Sequence, residues 1–300
     1  MKGAFWSLQL YDAAEAIDLV EVRRLLGTQA PSRQPAFRHP TPDYVRFERP
    51  PVIESIPDMT IGDQRFQARI KYFEFGVISA ELRMHFDADW PELIQLSNRW
   101  VAAVEVEQRT SALVRERVTR LRSALVKPYT DLLNEDYCII QVEPFADAAA
   151  VLAECGPAIA QIVRGESIPM SAAENQEILE SSISYYPNDL LVVGWMAAFL
   201  VDNEEGAAPA IQLLEYANVQ LLEFRYYDEL LSRVLAEVYK MLEHRGGIFQ
   251  RWRMSREAER LNTIRLDITE LTERMDNSIK FLSEPRLAGS GQRFGSESSA

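Results

Sequence analysis

After Pro209 the chain runs to Glu243 with no further proline and no glycine. Nothing in that stretch interrupts an α-helix, which at 1.5 Å per residue extends about 50 Å. Within it Phe224, Tyr227, Leu231, Val234, Val238 and Met241 step by three and four, as along the seam of a heptad helix. Gly246-Gly247 ends the run. A second stretch, from about Ser255 to Leu282, repeats the step with Leu261, Ile264, Ile268, Leu271, Met275, Ile279 and Leu282. Neighbouring heptad helices with a short joint pack antiparallel. Residues 206–283 are therefore expected to form a long helical hairpin or coiled coil, and the Gly/Ser-rich residues 284–300 a disordered tail.

Two features of the hairpin go beyond packing. At ~100° per residue, Gln220 falls near the middle of the apolar face, whereas Glu215, Asn218, Arg225 and Glu229 share the opposite side. A polar side chain on a buried face needs hydrogen bonds, so Gln220 is expected to set register or to line a site. The joint from His244 to Arg256 carries Arg245, Arg251, Arg253 and Arg256 with no acid, beside Ile248, Phe249, Trp252 and Met254. In a chain of net charge -13, this basic aromatic tip suits an acidic partner or an anionic membrane surface. An exposed loop whose aromatics fold back on the body explains it as well.

Residues 1–205 read as an α+β domain. Trp6, Leu8 and Leu10 alternate with Ser7, Gln9 and Tyr11, which predicts a strand with one buried face. Asp18 and Glu21 open a short helix that Gly27 closes. Residues 31–51 hold six prolines and read as an extended loop. Phe66 to Tyr72 and Leu82 to Phe86 alternate on either side of Gly76, an antiparallel hairpin. Asp89-Trp90-Pro91-Glu92 starts a helix expected to run to Val126, before Pro128, with Arg115, Arg117, Arg120 and Arg122 on a solvated basic side. A strand Tyr137–Val142 and helices near Val151–Val163 and after Ser171 follow. The apolar run from Leu190 to Val201 reads as one strand buried on both faces. The predicted class is a mixed or antiparallel sheet with packed helices, its first half ordered like a ferredoxin-like split unit.

The chemistry-bearing templates do not match. There is no dinucleotide or phosphate glycine loop, no H-E-x-x-H and no G-x-S-x-G. Cys138 and Cys155 are not spaced as metal ligands and read as two buried thiols. No catalytic residue, metal or cofactor is expected. Tyr185-Tyr186-Pro187-Asn188-Asp189 could border a pocket with the polar side of the long helix, or could order entry into the following strand.

That segment, with the continuation Leu190-Leu191-Val192-Val193, the motifs Leu213–Asn218 and Leu221–Asp228, and the strand turn Tyr72–Ile78, resembles a bacterial branch of the meiotic-nuclear-division (Rmd-type) proteins. That family is a domain of unknown function. The resemblance implies an α/β domain followed by long helices, often with an apolar C-terminal membrane anchor. The present chain departs there, reading Ser283-Glu284-Pro285-Arg286 and then Gly/Ser-rich sequence.

These readings converge on a cytoplasmic chain, peripheral at most to the inner face of a membrane. It is expected to act as a non-enzymatic scaffold that binds a protein partner or a second copy of itself. The alternative is a small-molecule protein or enzyme with a pocket at Tyr186 and Asp189. The acidic balance argues against nucleic acid.

Overall fold

The computed structural model describes residues 1–27 and 50–243, together with residues 259, 261–266, 268–269 and 272 of the C-terminal segment. The proline-rich stretch 31–49, the basic joint and the 284–300 tail lie outside the described residues.

Strands β1 (Lys2–Ile17), β2 (Val52–Ile61), β3 (Gln64–Tyr72), β4 (Val77–Asp87), β5 (Leu125–Val142), β6 (Ser182–Ile183), β7 (Leu190–Val193) and β8 (Ala197–Val201) build one mixed sheet of order β2-β3-β4-β1-β5-β8-β7-β6. β5 and β8 pair in parallel and every other neighbour is antiparallel. Helices α1 (Leu19–Leu26), α2 (Trp90–Trp100), α3 (Val104–Arg120), α4 (Ala148–Arg164) and α5 (Ala172–Glu180) connect the strands, and α6 (Glu204–Glu243) follows the last. The order β5-β1-β4-β3, with α1 after β1 and α2–α3 bridging β4 to β5, is ferredoxin-like with β2 inserted at the edge.

Local signals hold where capping chemistry sets them. Asp18 accepts from the Val20 and Glu21 amides, and Gly27 closes α1 at φ 69°. Asp89 and Glu92 form a reciprocal capping box, with Pro91 in the first turn of α2. Ser171 caps α5, and Gly165 ends α4 at φ 70°.

Several expectations are corrected by tertiary packing. β1 is buried on both faces, because helices cover one side of the sheet and α6 covers the other. The helix expected from Asp89 to Val126 breaks at Val101–Ala103, where Ala102 takes φ 56°. The break lets Trp100 meet Phe66 edge to face at 5.1 Å. Pro128 lies within β5, not after a helix, beside the irregularity at Asp12/Ala14. The run Leu190–Val201 is two strands, since the Gly194 amide donates to the Ala197 carbonyl and Trp195 turns outward, 69% exposed. Arg117 is not solvated: it is buried and pairs with Glu54 of β2, a strand the sequence reading missed. Cys138 is buried, and burial pushes its thiol up to about 12; Cys155 is only partly covered.

The long helix exists and begins earlier than expected, at Glu204, with Pro209 inside it. Residues 261–266 are also helical and Ile264 is buried. The joint that would close a hairpin is outside the described residues. Among the described residues no helix is long and apolar enough to cross a membrane.

Candidate functional site

The first half of α6 lies along the sheet. Its Ala207, Ile211 and Leu214 pack on Ala4, Trp6, Leu8, Ile139 and Leu200, and Val219 and Leu222 pack on Leu10, Phe73 and Val77. Apolar contact fills the middle of this interface, and the sheet presents charge at its sides, most of it along β3 and β4.

On the β3–β4 side Ser79, Glu81 and Arg83 of β4 alternate with the core-facing Ala80 and Leu82, and Arg69 and Lys71 stand beside them on β3. Lys71 bonds Glu215 of α6 and lies 2.8 Å from Glu81. Ser79 donates to the second oxygen of Glu215 at 2.6 Å. Arg69 holds Glu81 from its open side at 2.5 Å. Lys71, Ser79, Glu81 and Glu215 are all buried. Burial disfavours the Lys71 ammonium, but Glu215 and Glu81 outweigh it and hold the proton more tightly than usual. Glu81 is likewise disfavoured by burial, yet the two cations keep its carboxyl below the usual range. Two acids and two bases thus cancel in a water-poor layer, which is how buried charge is tolerated.

Farther toward the start of α6, Arg83 lies over the Trp6 ring at 4.6 Å and bonds Glu204 at 2.7 Å. Arg69 approaches the same ring at 5.9 Å. At the other end Arg225 pairs with Glu135 of β5, whose carboxyl burial still raises. Tyr226 stacks on Tyr129, centroids 5.4 Å apart, beside Asp12. Asp12 is buried, and that burial pushes its carboxyl up to about 7.

The sequence-predicted residues divide. Glu215, Asn218 and Arg225 do share one side of α6, but that side faces the sheet: Glu215 and Arg225 pair with it, and Asn218 donates to the Leu214 carbonyl. Gln220 points half a turn away, is 2% exposed, and its amide has no hydrogen-bond partner among the described residues. Tyr186 and Asp189 stand apart, at the β6–β7 edge. Asp189 accepts from the Tyr185 and Tyr186 amides and from Ser184, while Tyr186 is 43% exposed. The pair therefore builds a turn rather than joining the polar side of α6. Arg245, Phe249, Arg251, Trp252, Arg253 and Arg256 lie outside the described residues. No group of three metal-ligating side chains occurs among the described residues.

Lys71, Glu81, Arg83 and Asp12 were missed, because alternation assigns such residues to a solvent face; Glu135 beside Asp136 reads from the sequence only as adjacent carboxylates whose side chains diverge on a strand. A signal was present: bases on β3 and an acid on β4 sit on adjacent strands of one hairpin.

A family model described as "Uncharacterized protein MJ0711, N-terminal domain" matches residues 2–208, more than half of the chain. The chain belongs to this family. The MJ0711 N-terminal domain thus comprises the whole sheet and the first turn of α6, and ends before Glu215. Uncharacterized protein MJ0711 of Methanocaldococcus jannaschii is 22% identical over 135 residues, which cover 45% of this chain and 42% of that protein. The matched stretch therefore spans less than half of the relative. No solved structure matches the chain. Membership of the MJ0711 family overturns the resemblance to meiotic-nuclear-division proteins. The Tyr-rich and Leu-rich motifs behind it lie in a surface turn and a long helix, where amphipathic periodicity alone yields similar strings.

Proposed function

We propose that the chain is a non-enzymatic scaffold whose α6 presents a binding stem. The observation that carries this is that α6 has two apolar sides half a turn apart. The sheet covers one. The other runs through Leu213, Gln220, Phe224, Tyr227, Leu231, Val234 and Val238, and continues past Tyr226, where α6 still meets Tyr129 of the sheet; in the single chain Leu213, Gln220 and Val234 on this side are buried and the others half-buried. A second apolar side on an anchored rod is a surface for another helix, in this chain or in a partner. Leu235 and Tyr239 beyond it are 41% and 65% exposed.

Sedimentation equilibrium of the full chain tests the reading. Concentration-dependent association that Leu231→Asp abolishes is expected. A strict monomer that also retains no partner in a pull-down would count decisively against it. The basic joint, Arg245 to Arg256, offers a peripheral contact with an anionic membrane on the cytoplasmic side. Equal flotation of the parent and Trp252→Ala with anionic vesicles would remove that part.

A further inference from the structure

Helices α4 and α5 lie on the side of the sheet away from α6. Between them runs a groove of about 470 Å³, lined by Pro157, Ala172, Asn175, Gln176, Leu179 and Glu180. Its walls are mostly carbon, and no residue of α5 is buried although Ile178 and Leu179 are apolar. Ile168, on the turn that leads into α5, is 71% exposed. An apolar groove beside a helix left half open is a place where another segment packs. Charge narrows the choice of segment. Residues 143–189 hold eight acids against one base, a net charge of -7 in a chain of -13. The one base, Arg164, is engaged by Glu174 at 3.3 Å across the two helices. Glu180 lines the groove from α5, and Glu154, three residues before Pro157, shares its side of α4; both are exposed.

We propose that the α4–α5 groove receives the 244–256 segment of a second copy of this chain, with an aromatic side chain in the groove and arginines on Glu154 and Glu180. The make-up of that segment is complementary: four arginines, no acid, and Ile248, Phe249, Trp252 and Met254. Oppositely charged rims steer and orient such a contact, and an aromatic anchor in an apolar slot holds it. The second copy follows from reach. α6 starts three residues after β8, against which α4 packs, and its 40 residues place Glu243 about 60 Å away. A chain therefore carries its own basic segment away from its own groove and offers it to a neighbour. Reciprocal exchange between two copies closes the contact into a dimer. This rests on the reading of the chain as one that binds a second copy, but makes no use of the second apolar side of α6.

The test titrates a fluorescein-labelled peptide of residues 244–256 with two forms of the full chain, the parent and Leu231→Asp, and reads fluorescence anisotropy. Leu231→Asp disables pairing along α6, so binding to it separates this contact from the stem. Saturable binding to both forms is expected. Glu154→Arg with Glu180→Arg should weaken it by about tenfold or more, since each attraction becomes a like-charge repulsion. A peptide carrying Arg251→Glu and Arg253→Glu should recover binding to that doubly substituted chain. A Trp252→Ala peptide should bind the parent about tenfold more weakly. Both glutamates are exposed, so the substituted chain should keep the parent's urea midpoint. Absence of binding to either form, full retention by the Glu154→Arg, Glu180→Arg chain, or a Trp252→Ala peptide equal to the parent would each overturn the proposal. So would uptake of the peptide by anionic vesicles but not by the protein, which would assign the arginines to a membrane. Peptide binding without any Leu231-dependent association removes the stem and keeps the groove; the reverse pattern removes the groove alone.

Discussion

Lys71 of β3 and Glu215 of α6 form a buried ion pair across the sheet–helix interface, although 144 residues separate them in the chain. Glu215 lies beyond residue 208, where the family match ends, so the helix completes a charge balance that the domain leaves open. Lys71→Met leaves buried Glu215 with only the Ser79 hydroxyl and Glu81 with Arg69 alone, whereas Glu215→Gln leaves Lys71 with Glu81. We expect the first to cost ~3–5 kcal/mol and the second ~1–3 kcal/mol. Urea unfolding of the two variants side by side measures the order, and a larger loss in Glu215→Gln would contradict the network as described.

Asp12 makes stability fall as pH rises. Its folded-state pKa is raised to about 7, so between the ordinary carboxylate range and pH 7 the native state holds a proton that the unfolded chain releases. Stability from this group is full below about pH 4, declines up to about pH 7 and is level above it, a change on the order of 4 kcal/mol. Glu81 works oppositely: its lowered pKa contributes stability that is lost only as pH drops through the acid range. Asp12→Asn should flatten the slope between pH 5 and 8 and raise the urea midpoint at pH 8. An unchanged slope would show that Asp12 is not the titrating group.

Gly76 and Gly27 both have positive φ but different surroundings. A Cβ on Gly76 would lie 1.8 Å from the Ala14 carbonyl oxygen at φ 97°, whereas on Gly27 it would meet nothing within 4 Å. Gly27→Ala should cost ~1 kcal/mol from backbone strain alone, and Gly76→Ala at least ~3 kcal/mol, since β1 must move. Thermal unfolding of both variants gives the comparison; equal losses would mean that the β3–β4 turn yields freely.

Val234 and Leu235 are neighbours on α6 with opposite exposure, fully buried and 41% exposed respectively. Val234→Asp places an unpaired charge at the seam and should lower stability or association by ~3 kcal/mol or more, while Leu235→Asp should change neither by more than ~0.5 kcal/mol. Circular dichroism melts and sedimentation of both proteins decide it, and matching behaviour would remove the seam from that side of α6.

Elements whose ends depend on neighbouring residues were legible in the sequence: the Asp18 and Asp89 caps, the Gly27 and Gly165 terminations, the β3–β4 hairpin, and the uninterrupted helix after Pro209. Trp195 and Ala102 were not. A tryptophan inside an apolar run gives no hint that it turns outward, and nothing local demands φ 56° at an alanine. The polar side of α6 was legible as a grouping of Glu215, Asn218 and Arg225, but not as the side that packs on the sheet.

By itself the sequence determined the capped helix starts, the β3–β4 hairpin, the periodicity of α6 and the residues on each of its sides, because helix and strand geometry are set by spacing along one segment; β2, the α2–α3 break and the β7–β8 turn were not determined that way. Only the tertiary structure decided that strands β3 and β4 carry their charges beneath a helix instead of into water. Alternation reports that two faces differ, but whether the polar face meets solvent depends on what arrives from elsewhere in the chain, and Glu215 arrives from 144 residues away. Burial, and with it the pairing of Lys71 and the raised pKa of Asp12, is a property of that arrival.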